Sequence, residues 1–119
     1  MVADARTRIG FSAICSNDAK SFGNMQRFAR THAFPFPNVH DEDQSVARAY
    51  GAVCTPDFFG YDKARTLKYR GRLDEGRMSP PPPGAPRELV EAMRAIASTD
   101  RAPAPQSASM GCSIKWKAA

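Results

Sequence analysis

The chain has 119 residues, 42% of them hydrophobic, with 17 Lys and Arg against 12 Asp and Glu for a net charge of +5. That length suits one small domain, and no apolar run nears the roughly 20 residues that cross a bilayer, which argues against a membrane protein. Three cysteines make an odd count, against a secreted disulfide framework; with no signal-peptide core in the polar Met1–Arg8, the expected compartment is the cytoplasm.

Ile9-Gly10-Phe11-Ser12-Ala13-Ile14 alternates and predicts a buried strand ending at Cys15. Ser16-Asn17-Asp18 is a helix-start signal. The helix it opens runs to Ala33, with Phe22, Met25, Ala29 and His32 at helical spacing and Phe28 widening the stripe. Phe34-Pro35-Phe36-Pro37 then forces extended backbone, and Phe36–His40 can form a short strand. Asp41-Glu42-Asp43 suits the positive start of a second helix. Asp41 and Gln44 have capping-box spacing, Val46, Ala49 and Tyr50 form the expected buried face, and Gly51 stands at C′.

Next comes Cys54-Thr55-Pro56-Asp57-Phe58-Phe59, a thiol beside an X-Pro bond that opens an apolar strand. Such a bond takes the cis form at a cost of about 0.5–1 kcal/mol, and proline withholds an N–H, leaving nearby backbone free for a bound chain. Asp57–Tyr61 and Thr66–Leu73 predict a hairpin around a turn at Asp62-Lys63-Ala64-Arg65. In its second strand Leu67, Tyr69 and Leu73 alternate with Lys68, Arg70 and Arg72, so one face is wet. Met78–Gly84 holds four consecutive prolines, a stiff spacer. Pro86 suits a first helical turn, and Leu89, Met93 and Ile96 line one side of the last helix. The domain is expected over residues 1–97. Residues 98–119 form an extended C-terminal tail that closes on Gly111-Cys112-Ser113-Ile114-Lys115-Trp116-Lys117.

The order strand, helix, short strand, helix, hairpin, helix describes an α/β sandwich with a mixed sheet. The blocks Ile14-Cys15-Ser16-Asn17-Asp18, Phe34-Pro35-Phe36-Pro37, Ala49-Tyr50-Gly51-Ala52, Cys54-Thr55-Pro56-Asp57-Phe58-Phe59, Tyr69-Arg70-Gly71-Arg72-Leu73-Asp74 and the terminal Gly111–Lys117 run resemble the redoxin branch of thioredoxin-like proteins, the alkyl-hydroperoxide-reductase/thiol-specific-antioxidant relatives. The resemblance implies a thioredoxin-like three-layer sandwich with a mixed sheet, here missing the first strand and helix. In that family a strand, a Cys-x-x-Cys turn and a helix precede the counterpart of Ile9–Ile14, and Met1–Arg8 contains no cysteine. The missing strand would be the middle of the sheet, and the missing helix start would lower the attacking thiol's pKa.

The implied activity is thiol-disulfide or peroxide chemistry in cell redox homeostasis, with a protein disulfide or peroxide as substrate and no metal, nucleotide or flavin. Cys54 is the candidate nucleophile, Cys15 or Cys112 the candidate resolving thiol, and Thr55 and Pro56 hold the substrate edge. In an intact sheet one strand would separate Cys15 from Cys54 by about 9–10 Å, beyond the roughly 4.4–6.8 Å Cα span of a disulfide; closing that gap would allow a bridge. The competing reading is a non-catalytic module that docks a partner through the Thr-Pro loop, or self-associates through exposed sheet edges. His32 and His40 lack metal-ligand spacing, and Asp41-Glu42-Asp43 lacks the glycine and distal Glu of a calcium loop. The basic hairpin face has no aromatic platform, so no nucleic-acid partner is expected.

Overall fold

The computed structural model describes residues 9–76 and 79–118. Met1–Arg8 and the Met78 start of the proline spacer lie outside the described residues. The chain divides into two compact units: residues 10–53 with 113–118, and residue 9 with 54–76 and 79–112.

In the first unit β1 (Ala13–Cys15) pairs in parallel with β2 (Asn38–His40), Ile14 standing beside Val39. β1 is shorter and later than the predicted Ile9–Ile14 strand, because ladder pairing is available only where β2 runs alongside. α1 (Ala19–Thr31) starts as expected: Asp18 is the N-cap and accepts the Ser21 N–H at 2.8 Å. That bond holds the Asp18 carboxyl below the usual range. None of the α1 side chains is buried, contrary to the expected core stripe. Phe22 stacks on the His40 ring at 4.5 Å, while Phe28 is 52% exposed. Phe28, Phe34, Phe36 and Phe11 instead form a chain of edge and tilted ring contacts along the unit.

α2 (Ser45–Tyr50) departs from its predicted cap. Gln44 takes a left-handed conformation, φ 62°, and its side chain makes no cap bond, whereas a capping box needs an extended N-cap residue. Asp41 does the capping from further back, accepting the Val46 N–H at 3.1 Å and the Ala47 N–H at 2.8 Å. The Ser16 hydroxyl donates to the same carboxylate at 2.9 Å. This arrangement turns Ala47 inward and leaves Val46, Ala49 and Tyr50 outside, a correction to the predicted buried face. Gly51 ends the helix at φ 71°, the left-handed C′ position expected of it.

Gln44 is buried, with both amide hydrogens and its amide oxygen engaged. Its Nε2 donates to the carbonyls of Ser16 (2.9 Å) and Lys115 (3.0 Å), and its Oε1 accepts the Lys117 N–H (2.7 Å). The end of the chain is thereby held on this unit. The Arg48 guanidinium lies over the Trp116 ring at 4.4 Å, and Ile114 is buried.

The second unit holds β3 (Cys54–Thr55), the hairpin β4 (Phe58–Tyr61) and β5 (Leu67–Gly71), and α3 (Glu88–Thr99). The hairpin is antiparallel, with a register irregularity at Gly60/Tyr61. Asp62 builds its turn, accepting the Ala64 and Thr66 N–H groups at 2.9 Å each, and these bonds hold its carboxyl low, Thr66 contributing most. Tyr69, Leu89, Ala92 and Ile96 form the core, with Phe58, Met93 and Ala102 packed around it. Full burial of a side chain such as Leu89 or Ile96 contributes about 2 kcal/mol. Leu67 and Leu73 are exposed, a second correction. Leu67 sits at the irregular end of the hairpin and Leu73 lies past the last ladder residue, so strict alternation reaches neither.

α3 begins at Glu88, two residues after Pro86, and Glu88 pairs with Arg72 at 2.7 Å. The tail pads the outer edge of β5. Gln106 accepts the Arg70 N–H (3.0 Å) and donates to the Lys68 carbonyl (2.8 Å), so a side-chain amide stands in for a neighbouring strand. Among the described residues no helix is long and apolar enough to cross a membrane.

Candidate thiol site

The site grows from the two-residue strand β3 and the turn after it. Cys54 and Thr55 are in the strand, Pro56 follows through a cis peptide bond, and Asp57 leads into β4. The Asp57 carboxylate is almost wholly buried, 5% exposed. Its Oδ1 faces the Ser109 hydroxyl at 2.8 Å and its Oδ2 the Arg70 Nη2 at 3.5 Å. Ser109 also lies 2.6 Å from the Gly71 carbonyl, so its single proton goes to one of two acceptors. The Cys54 sulfur is 4.0 Å from the Pro56 carbonyl and 3.9 Å from that of Ser109, within reach of its weak S–H.

Burial pushes the Cys54 thiol up, and the negative Asp57 adds to this. Arg70 and the Gly111 N–H oppose it without cancelling it. Less thiolate is present at neutral pH than on a free cysteine, the reverse of the helix-start environment that activates a redox thiol.

β3 pairs with β6 (Cys112–Ser113). The Ile114 N–H donates to the Val53 carbonyl at 3.1 Å, and Gly111 passes so close to Thr55 that an added Cβ would lie 2.1 Å from the Thr55 oxygen. Cys15 is buried at the end of β1 in the other unit; all three thiols are free.

The structure thus gathers Cys54, Thr55 and Pro56 and sets Cys112 on the adjoining strand. It adds Asp57, Arg70, Ser109 and Gly111, which sequence reasoning did not single out. Asp57 was legible as the neighbour of Pro56, but nothing in a Pro-rich tail announces that Ser109 returns to it across 52 positions. A separate groove of about 850 Å³ in the first unit is lined by Ile14, Val39, Val46, Glu42 and Asp43 among others; no cysteine lines it.

A parallel pair with its helices, a Thr-Pro turn beside a thiol, an antiparallel hairpin and a covering helix define a thioredoxin-like α/β protein. The model of the AhpC/TSA family matches residues 7–70, and the chain belongs to that family, whose role is peroxiredoxin-type redox chemistry. Among solved structures it is similar to a hypothetical protein of Sinorhizobium meliloti 1021, at 38% identity and a TM-score of 0.80 over 97% of this chain and 66% of that one. It is equally similar to an uncharacterized conserved protein of Geobacillus kaustophilus, at 39% identity and a TM-score of 0.81 over 96% of this chain and 63% of that one. The chain spans just under two thirds of the length of each. No curated protein matches it.

Proposed function

We propose that this chain acts in cytoplasmic thiol redox chemistry of the AhpC/TSA type, with Cys54 as the reacting thiol and the Thr55–Pro56 edge holding an extended disulfide-bearing substrate. The observation that carries this reading is the placement of the thiol on the same short strand as that edge, in contact with the Pro56 carbonyl. The Cys54 thiolate attacks one sulfur of the substrate disulfide, forming a mixed disulfide and releasing the other sulfur as a thiolate. A second thiol then attacks the Cys54 sulfur, closing a new disulfide with it and freeing the reduced substrate. An external low-molecular-weight thiol serves as the second thiol. With a peroxide in place of the disulfide, the thiolate takes one oxygen as a sulfenic acid and the remainder leaves as water or alcohol.

The raised Cys54 pKa sets the pH dependence. Thiolate accumulates only as pH rises through that pKa, so the rate is expected to climb on the alkaline side of the ordinary cysteine range and to be low at pH 7. Insulin reduction and peroxide consumption, followed from pH 6 to 10 on the wild type and Cys54→Ser, check this. A rising wild-type profile, absent from the variant, supports the proposal; equal background rates at every pH refute it. The same weak activation favours a second reading, a partner-binding module that uses the Thr55 edge without turnover. Binding without any Cys54-dependent rate would select it.

A further inference from the structure

We propose that a second copy of this chain docks its α1 helix in the groove of the first unit, with Met25 and Phe28 on Ile14, Val39 and Val46 and the cations of α1 against Glu42 and Asp43. Both surfaces belong to the first unit, and the contact is independent of the redox reading of Cys54.

The helix offers an uncovered strip. α1 has 13 residues and buries none of them. Met25 and Phe28 stand three apart, hence on one face, and are 40% and 52% exposed. Lys20, Arg27 and Arg30 recur at spacings of seven and three and form a second stripe. α1 holds no Asp or Glu, and among the described residues none of these three cations has an ion pair. Arg27 donates to the Asn24 side chain. An amphipathic helix of this kind suits an apolar groove that carries carboxylates.

The groove answers it in shape and charge. It measures about 850 Å³, and Ile14, Val39 and Val46, which line it, are 43%, 51% and 37% exposed. Glu42 and Asp43 line it too, and among the described residues neither carboxylate is ion-paired. The Ser45 N–H donates to Asp43 at 3.0 Å and holds its carboxyl below the usual range, so it is charged at neutral pH. Lys117 also lines the groove, with its ammonium on the Glu42 carbonyl at 2.6 Å. Two carboxylates against one ammonium leave the groove acidic, opposite in sign to α1.

The two surfaces lie on opposite faces of the β1–β2 pair. Ile14 and Val39 are in register and share one face, while the next residues, Cys15 and His40, share the other. There the His40 ring stacks on Phe22 of α1. One copy therefore cannot use both surfaces on the same neighbour. Its helix enters one neighbour and its groove receives another, a head-to-tail contact that builds a ring or a filament in place of a closed pair.

The test follows weight-average mass by sedimentation equilibrium as the concentration rises, with a reductant present so that the exposed Cys112 thiols form no bridges. The wild type is expected to pass the dimer mass, and to need more protein to do so as salt screens the charges. Met25→Ser with Phe28→Ser removes the helix strip, and Val39→Lys places a cation in the groove; each variant alone is expected to stay monomeric. Mixed in equal amounts, they keep one intact helix and one intact groove between them and should give a heterodimer and nothing larger. A wild type that stays monomeric or stops at the dimer, a variant that assembles as the wild type does, or a mixture that stays monomeric overturns the proposal. If either variant loses its far-UV dichroism, Arg27→Gln with Arg30→Gln replaces the helix variant and Glu42→Lys the groove variant, since all three side chains are exposed and only charge is altered.

Discussion

Asp41→Ala is expected to destabilise the chain by about 4 kcal/mol and to lower the thermal midpoint by more than 10 °C in far-UV dichroism. Asp41 is 5% exposed and its carboxylate accepts from Val46 N–H, Ala47 N–H and the Ser16 hydroxyl. Charge-assisted bonds of this kind contribute about 1.5–3 kcal/mol each when buried. Removing the carboxylate leaves two helix N–H groups and a hydroxyl to be paired by other means. α2 has only six residues and Gln44 supplies no cap; a helix so short does not persist without its end bonds. Asp41→Asn keeps an acceptor oxygen and should lose about half as much. An Asp41→Ala midpoint within 3 °C of the wild type would show that the three bonds carry little.

Gln44→Ala is expected to cost about 3 kcal/mol and, more tellingly, to release the end of the chain. The Gln44 amide links the Ser16 carbonyl at the end of β1 to both Lys115 and Lys117. Its loss leaves the segment held by Ile114, buried and bonded to the Val53 carbonyl, by the Lys117 ammonium on the Glu42 carbonyl at 2.6 Å, and by Arg48, which lies over Trp116 and donates to the Lys117 carbonyl at 3.3 Å. Trp116 fluorescence should shift to the red and trypsin should cut after Lys115 and Lys117 at least tenfold faster, well below the unfolding temperature. Unchanged cleavage rates would contradict the anchoring role.

Much of this architecture was legible from local chemistry. Asp18 as N-cap, Gly51 at C′, the Asp62 turn and the hairpin all follow from interactions within a few residues of each other, and the structure has them there. The Thr55–Pro56 turn was legible because proline punctuates the chain wherever it stands. The misreadings share a different cause. Val46 and Tyr50 satisfy helical spacing, yet their orientation is set by Asp41, which bonds a helix that begins four residues beyond it. Leu67 and Leu73 satisfy alternation, but the ladder that would give alternation its meaning is irregular at one and ended before the other. The tail was the least legible part. Gln44, Gln106 and Ser109 hold it through polar side chains in place of strand pairing, and single amides and hydroxyls leave no periodic trace in a sequence. Hence the candidate site could be half read: Cys54, Thr55 and Pro56 from their own dipeptide chemistry, but not the tail that brings the Ser109 carbonyl to 3.9 Å from the thiol.

The central claim is that Cys54, presented beside the Thr55 edge, is the sulfur that meets substrate. The most direct measurement is acid-quenched peptide mapping of the Cys112→Ser chain after a brief reaction with insulin at pH 9, where the exposed tail thiol cannot compete. The account predicts an insulin chain joined through a disulfide to Cys54, in an amount that grows with pH. Insulin found on Cys15 with Cys54 unmodified, or no adduct at any pH, would contradict it.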